Sequence, residues 1–229
     1  FSTFLIDPQS YLCYTYSKHM EINWLGHSCF KIKGKQATVI TDPYSPDTGY
    51  TLGKQSATIV TLSHQHPGHS CVTGIHGEPH IVSAPGEYEI SNVLIIGLAS
   101  YHDNEKGNLR GKNTIYLIEM DDISICHLGD LGHPLTEDQT EELGNVDILM
   151  LPVGGISTIN AATAASVVRQ IEPKIVLPMH YGTPSLNREL DPVEKFLKEI
   201  GTHDITPQPK LTVTKNNLPL VMQVTLLEL

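Results

Sequence analysis

Ser63-His64-Gln65-His66-Pro67-Gly68-His69 is the stretch on which the fold turns. Three imidazoles fall within six residues, directly after Ala57-Thr58-Ile59-Val60-Thr61-Leu62. That run is short, apolar and β-branched, which predicts a buried strand. The histidines then sit where a strand ends, and Pro67-Gly68 forces a tight turn. Three nitrogen donors converging at a strand end suit a transition metal, with Zn²⁺ the usual occupant and Mn²⁺ or Fe²⁺ the alternatives.

The pattern recurs along the chain. His102 follows Val93-Leu94-Ile95-Ile96-Gly97-Leu98-Ala99, and His127-Leu128-Gly129-Asp130 follows Ile123-Ser124-Ile125-Cys126. His180 follows Ile175-Val176-Leu177-Pro178-Met179. Separate strand ends thus present His or Asp toward one implied sheet edge, where open sheets place their sites. Taken singly, each has a bland rival. His64, His66 and His69 would be exposed turn histidines, Asp130 a turn residue, and His180 a cap for the following loop. Their joint recurrence favours ligands.

In this order, His64-x-His66-x-Gly68-His69, His102, Gly129-Asp130 and Pro178-Met179-His180-Tyr181-Gly182 resemble the metallo-β-lactamase superfamily. Trp24-Leu25-Gly26-His27-Ser28-Cys29-Phe30 and Thr41-Asp42-Pro43 are similar to its branch of small bacterial metal-dependent hydrolases related to ascorbate-phosphate lactonases. The resemblance spans about Met20 to Thr183 and implies a four-layer αβ/βα sandwich. It implies that His64, His66 and His102 bind a first metal, while His69, Asp130 and His180 surround a second, with Asp130 bridging. Asp42 would hold the metal-binding loop by hydrogen bonds. The superfamily pattern has Asp where this chain has Gly68, so one tight metal and a weak or empty second site are expected. His27 reads equally as a core histidine bonded to backbone or as a residue facing the metal. With Asp130 it is the candidate catalytic group. His127 and His133 flank Asp130 and are candidates to line the pocket behind the ligands.

Composition narrows the function classes. The chain has 229 residues, enough for one substantial core. Hydrophobic content of 40% suits a folded globular protein. No apolar run approaches the ~20 residues of a membrane helix. A formal net charge of −10 disfavours a nucleic-acid surface and with it the nuclease branch. A small-molecule substrate is expected instead. Cys13, Cys29, Cys71 and Cys126 form no C-x-x-C pair and read as free thiols of a reducing, cytoplasmic compartment. Residues 1–19 look foreign to the domain that follows at 20–229, either added or a native surface extension, and lack the features of a signal peptide. β-Lactam hydrolysis is therefore disfavoured. Nothing in the sequence fixes an oligomeric state.

The expected activity is hydrolysis of an ester, lactone or phosphodiester by a metal-activated water. The rivals are a degenerate metal-binding member serving as sensor or scaffold, kept open by Gly68, and a nuclease. Strands are predicted at about 22–25, 29–32, 38–41, 57–62, 80–83, 93–99, 114–120, 122–126, 146–152, 174–178, 210–214 and 219–227. Thr136 with Gln139 predicts a capping box for a helix ending at Gly144. Asn160 predicts the cap of a helix through Ile171, and Pro192 the first position of a third that Gly201 closes.

Overall fold

The computed structural model describes residues 19–229, so the extension expected at 1–19 lies, apart from His19, outside the described residues. Two large sheets form the frame. The first contains β1 (Met20–Gly26), β2 (Cys29–Lys33), β3 (Thr38–Thr41), β5 (Ile59–Thr61), β7 (His80–Val82) and β14 (Leu211–Val213), ordered β14-β1-β2-β3-β5-β7. β4 (Gln55–Ser56) and β6 (Ile75–His76) pair separately. The second contains β8 (Gly86–Ile90), β9 (Val93–Tyr101), β10 (Lys112–Met120), β11 (Ile123–His127), β12 (Ile148–Pro152), β13 (Ile175–Met179) and β15 (Gln223–Val224), ordered β15-β13-β12-β11-β10-β9-β8. Three α-helices, α1 (Glu137–Leu143), α2 (Ala161–Ile171) and α3 (Val193–Glu199), and three single-turn 3-10 helices at Pro46–Thr48, Val72–Gly74 and Lys215–Asn217 complete the described elements.

The side-chain period of two explains the layering. Phe30, Val39 and Ile59 point into the core shared with the second sheet. Their neighbours Cys29, Ile40 and Val60 point the other way, into a cluster with Tyr44, Tyr50 and Leu62. The outer face of the first sheet is thus covered by the loop after β3. The second sheet is parallel across β11, β12 and β13, and every residue of β12 and β13 is buried. Such strands need cover on both faces. α2 supplies it through Ala164, Ala165, Val167, Val168 and Ile171, and α3 packs on α2. The expected α/β sandwich is present.

Local signals placed the helices. Thr136 and Gln139 form the capping box, and Asn160 accepts from the Thr163 amide. Pro192 differs from expectation by one position, since its ψ of 154° makes it the N-cap of α3. Strand β8 was not expected. The strand expected over 219–227 reduces to β15 and a bridge between Gln208 and Leu227.

β1, β3 and β5 run in one direction within the first sheet, as do β9, β11 and β13 within the second. The carboxyl ends of β1, β3, β5, β9, β11 and β13 release His27, Asp42, the 63–69 loop, His102, Asp130 and His180. No described helix is long and apolar enough to cross a membrane.

Candidate metal centre

Asp130 is the hub. Its Oδ2 lies 3.2 Å from His69 Nε2, 3.3 Å from His102 Nε2, 3.3 Å from His180 Nε2 and 4.0 Å from His64 Nε2. Ligand atoms of three trios lie within 4.8 Å of one another: His64, His66 and His69; His64, His102 and Asp130; and His27, His69 and His180. All the predicted ligands therefore come together, although they span residues 64 to 180.

These groups do not satisfy one another. Nε2 of His64, His69 and His180 and Oδ1 of Asp130 are buried without a well-directed hydrogen bond. Buried polar atoms are rarely left so. Nitrogens that crowd a carboxylate without aligning on it fit a shared cation, and imidazole with one carboxylate is a donor set for Zn²⁺ or another first-row dication.

A second layer of hydrogen bonds fixes the rings. Asp42 Oδ1 accepts from the Ser63 amide at 2.8 Å. Its Oδ2 accepts from Ser63 Oγ and pairs with His69 Nδ1 at 3.0 Å. Ser63 Oγ also lies 3.0 Å from His64 Nδ1. One buried carboxylate therefore orients His69 directly and His64 through a hydroxyl, leaving both Nε2 atoms to face Asp130. The role expected for Asp42 matches this geometry.

The backbone is held in costly conformations here. His27 (φ 54°), Asp42 (φ 38°) and His180 (φ 51°) are all left-handed, which side-chain-bearing residues seldom adopt. The surroundings enforce it. The carbonyl of His27 accepts from Trp24 Nε1 at 2.9 Å and from the His180 amide at 3.1 Å. The Asp42 amide bonds to Thr61 at 2.9 Å.

Electrostatics leave most rings neutral and the acids ionised. Burial, with His69 nearby, pushes His64 down to about 4. Burial likewise lowers His27, His66, His102 and His127. His69 is the exception. Burial opposes its charge, but the adjacent Asp130 carboxylate and the pairing with Asp42 outweigh that and raise it to about 10. Burial also opposes ionisation of Asp130, but His180 and His69 overcome it and hold the carboxyl well below its usual range.

Two flanking histidines bond to main chain near the centre. The His127 ring bonds to main chain on both sides. Its Nε2 lies 2.8 Å from the Ser28 carbonyl and its Nδ1 accepts from the Gly129 amide at 3.2 Å, so it braces backbone beside His27 and Asp130. His133 is further out, its Nε2 accepting from the Tyr101 amide at 3.2 Å. Both rings are thus tied to main-chain groups. Cys126 is fully buried in the core, and His76, His80 and His203 are exposed.

Asp103 follows His102 but turns away. Its carboxylate takes the amides of Glu105, Gly107, Leu109 and Arg110. The sequence reading missed Ser63 and Asn113. Asn113 Oδ1 accepts from the Asp130 amide at 3.0 Å, and its Nδ2 donates to the Leu128 carbonyl at 2.9 Å. It also missed Arg188, which with Ser45, Thr48, His66 and Gly68 borders a cleft of about 130 Å³ beside His27.

Comparison with known proteins agrees with this geometry. The family described as the beta-lactamase superfamily domain matches residues 21–180. A UPF0173 protein of Pyrococcus furiosus is 31% identical over 205 residues, covering 79% of this chain and 90% of its own. A UPF0173 metal-dependent hydrolase of Methanopyrus kandleri is 24% identical over 214 residues, covering 80% of this chain and 93% of its own. A Thermotoga maritima crystal structure, described as a proposed Zn-dependent hydrolase of the metallo-β-lactamase superfamily, superposes with a TM-score of 0.76 at 35% identity, covering 91% of this chain and 98% of that one.

Proposed function

The chain belongs to the metallo-β-lactamase superfamily, and from that membership we propose that it is a metal-dependent hydrolase of a small ester, lactone or phosphodiester. The observation that carries the reading is the ring of imidazole Nε2 atoms around Asp130 Oδ2, those of His64, His69 and His180 being buried without directed partners. His64, His66 and His102 would hold one cation, with His69, His180 and Asp130 beside it. A bound dication supplies Lewis acidity and a water acidified to a pKa of about 7.

The chain's own groups do the rest. Asp130 stays ionised at neutral pH, and its partnerless Oδ1 can accept a hydrogen bond from the attacking water and aim its lone pair. The brace from Asp42 through Ser63 prevents the rings from rotating as charge develops. The cleft beside His27 is small, which favours a small substrate over a polymer. Arg188 at its border favours one carrying an anionic group.

The test is a side-by-side assay of purified protein with p-nitrophenyl acetate, a simple lactone and bis-p-nitrophenyl phosphate, before and after chelation. Hydrolysis of at least one substrate, lost on chelation and restored by metal, is expected. Asp130→Asn should remove it. Protein that binds no dication, or whose hydrolysis survives chelation, overturns the reading.

A further inference from the structure

We propose that His27 takes the ligand position that Gly68 vacates, so that a second cation is held by His27, His69, His180 and Asp130. The assignment rests on the metal-dependent reading above and replaces the expectation of a weak second site, which considered position 68 alone.

The space beyond Gly68 is filled by a nitrogen donor. A Cβ built on Gly68 would stand 3.2 Å from His66 Nδ1, 3.4 Å from His27 Nε2 and 3.6 Å from His27 Cδ2. The volume that a carboxylate side chain would enter is thus the edge of the His27 ring. That ring lies 4.8 Å from the His69 ring and 4.3 Å from the His180 ring, centroid to centroid. Ligand atoms of the three residues fall within 4.8 Å of one another.

A structural role does not account for the imidazole. His27 is only 2% exposed, yet its Nδ1 has no hydrogen-bond partner. What ties the residue to the fold is its main-chain carbonyl, which accepts from Trp24 and His180. Any residue offers that carbonyl, and glycine would adopt φ of 54° with less strain. The side chain is therefore the unexplained part. The two backbone ties hold it in place against the His69 and His180 rings.

The result is a symmetrical donor set, with His64, His66 and His102 on one side, His27, His69 and His180 on the other, and Asp130 between. Replacing a carboxylate with a neutral imidazole removes one negative charge. It shifts preference toward Zn²⁺, Fe²⁺ or Ni²⁺ and away from Mg²⁺ and Mn²⁺.

The experiment counts metal. Wild-type protein, His27→Asn, and His27→Asn with Gly68→Asp are loaded with excess Zn²⁺, desalted and subjected to elemental analysis, with folding checked by thermal melt. Asn tolerates the left-handed backbone at position 27. Gly68 is not in that region, and an added Cβ there would stand 3.2 Å from His66 Nδ1, so that ring must shift by a few tenths of an ångström to admit Asp. Two, one and two equivalents are expected, the carboxylate restoring what the imidazole supplied. Wild type with one equivalent overturns the assignment and leaves a one-metal hydrolase standing, whereas wild type with none overturns both. His27→Asn with two equivalents also overturns the assignment. So does a double variant that remains at one, which would make His27 a structural brace. Should the variants fail to fold, anomalous scattering from Zn²⁺-loaded wild-type crystals decides. A second peak about 2.1 Å from a ring nitrogen of His27 is expected, and one bound to His69 and His180 without His27 overturns the assignment.

Discussion

Asp42 controls two imidazoles without facing the centre itself. It pairs with His69 Nδ1 and, through Ser63 Oγ, with His64 Nδ1. Asp42→Asn is expected to weaken Zn²⁺ binding by about 10–100-fold while leaving the protein folded. Competition with a chromophoric chelator measures it, and unchanged affinity would refute the brace. Gly129 carries a different constraint. Its φ is 58°, and an added Cβ would stand 2.3 Å from Asn113 Oδ1 and 2.6 Å from Ser63 Cβ. Gly129→Ala must therefore displace the Asn113 amide that fixes the Asp130 backbone, and a comparable loss of metal affinity is expected. The candidate ligands were legible in the sequence because His and Asp at strand ends are rare as a set. Ser63 and Asn113 were not. A serine beside a histidine and an asparagine in a strand are ordinary until folding brings Asp42 and Asp130 to them. His27 stayed ambiguous for the same reason, since its use depends on Gly68, distant in sequence and adjacent in space.

The segment between β9 and β10 carries His102 and is organised by one side chain. Burial opposes the Asp103 charge, but amides of Arg110, Gly107, Glu105 and Leu109 outweigh it and hold the carboxyl at about 2, against an ordinary value of 3.8. A depressed folded-state pKa means that the contribution is complete above about 3.8 and is lost as pH falls through about 2. Asp103→Asn mimics that loss at neutral pH. Exchange of the four amides is expected to accelerate about tenfold or more, since hydrogen bonds to a charged acceptor are stronger than neutral ones. Amide exchange followed by NMR checks it, and unchanged protection would sink the account. Elements were legible where their signals are local. Thr136 and Asn160 announce α1 and α2 because an N-cap needs only residues three apart. β8 was hidden, because Glu87 and Glu89 are exposed and break any apolar pattern. Its pairing comes from a hairpin at Ser91 and Asn92, with φ of 51° and 61°. Ser-Asn is a weaker turn signal than Asn-Gly.

Over the whole molecule, protons and metal compete for the same atoms. His69 rises to about 10 from an ordinary 6.5. A raised folded-state pKa gives stability that is complete below about 6.5 and is lost as pH climbs through about 10. His64 falls to about 4, so its contribution is present above about 6.5 and is lost as pH drops toward that value. From these two groups the metal-free protein is expected to be most stable near pH 6.5. A cation cannot use His69 Nε2 while the nitrogen carries a proton. Metal uptake at pH 7.5 should therefore release about one proton from His69, and affinity should rise with pH until about 10. Calorimetric titration in two buffers of different ionisation enthalpy measures the release, and its absence would contradict the hydrogen-bonded state of His69. Loading should also raise the melting temperature. Free metal at about 1,000 times Kd adds ~4 kcal/mol to the folded state. For a chain of this size each kcal/mol is worth about 2–4 °C, so a rise of about 8–16 °C is expected at one saturated site. The rise should be larger at pH 9 than at pH 6.5, because the metal replaces the proton whose loss destabilises the metal-free fold. A melting-temperature gain that is flat with pH would mean that the cation binds without displacing the His69 proton, and that His69 stands outside the metal's coordination.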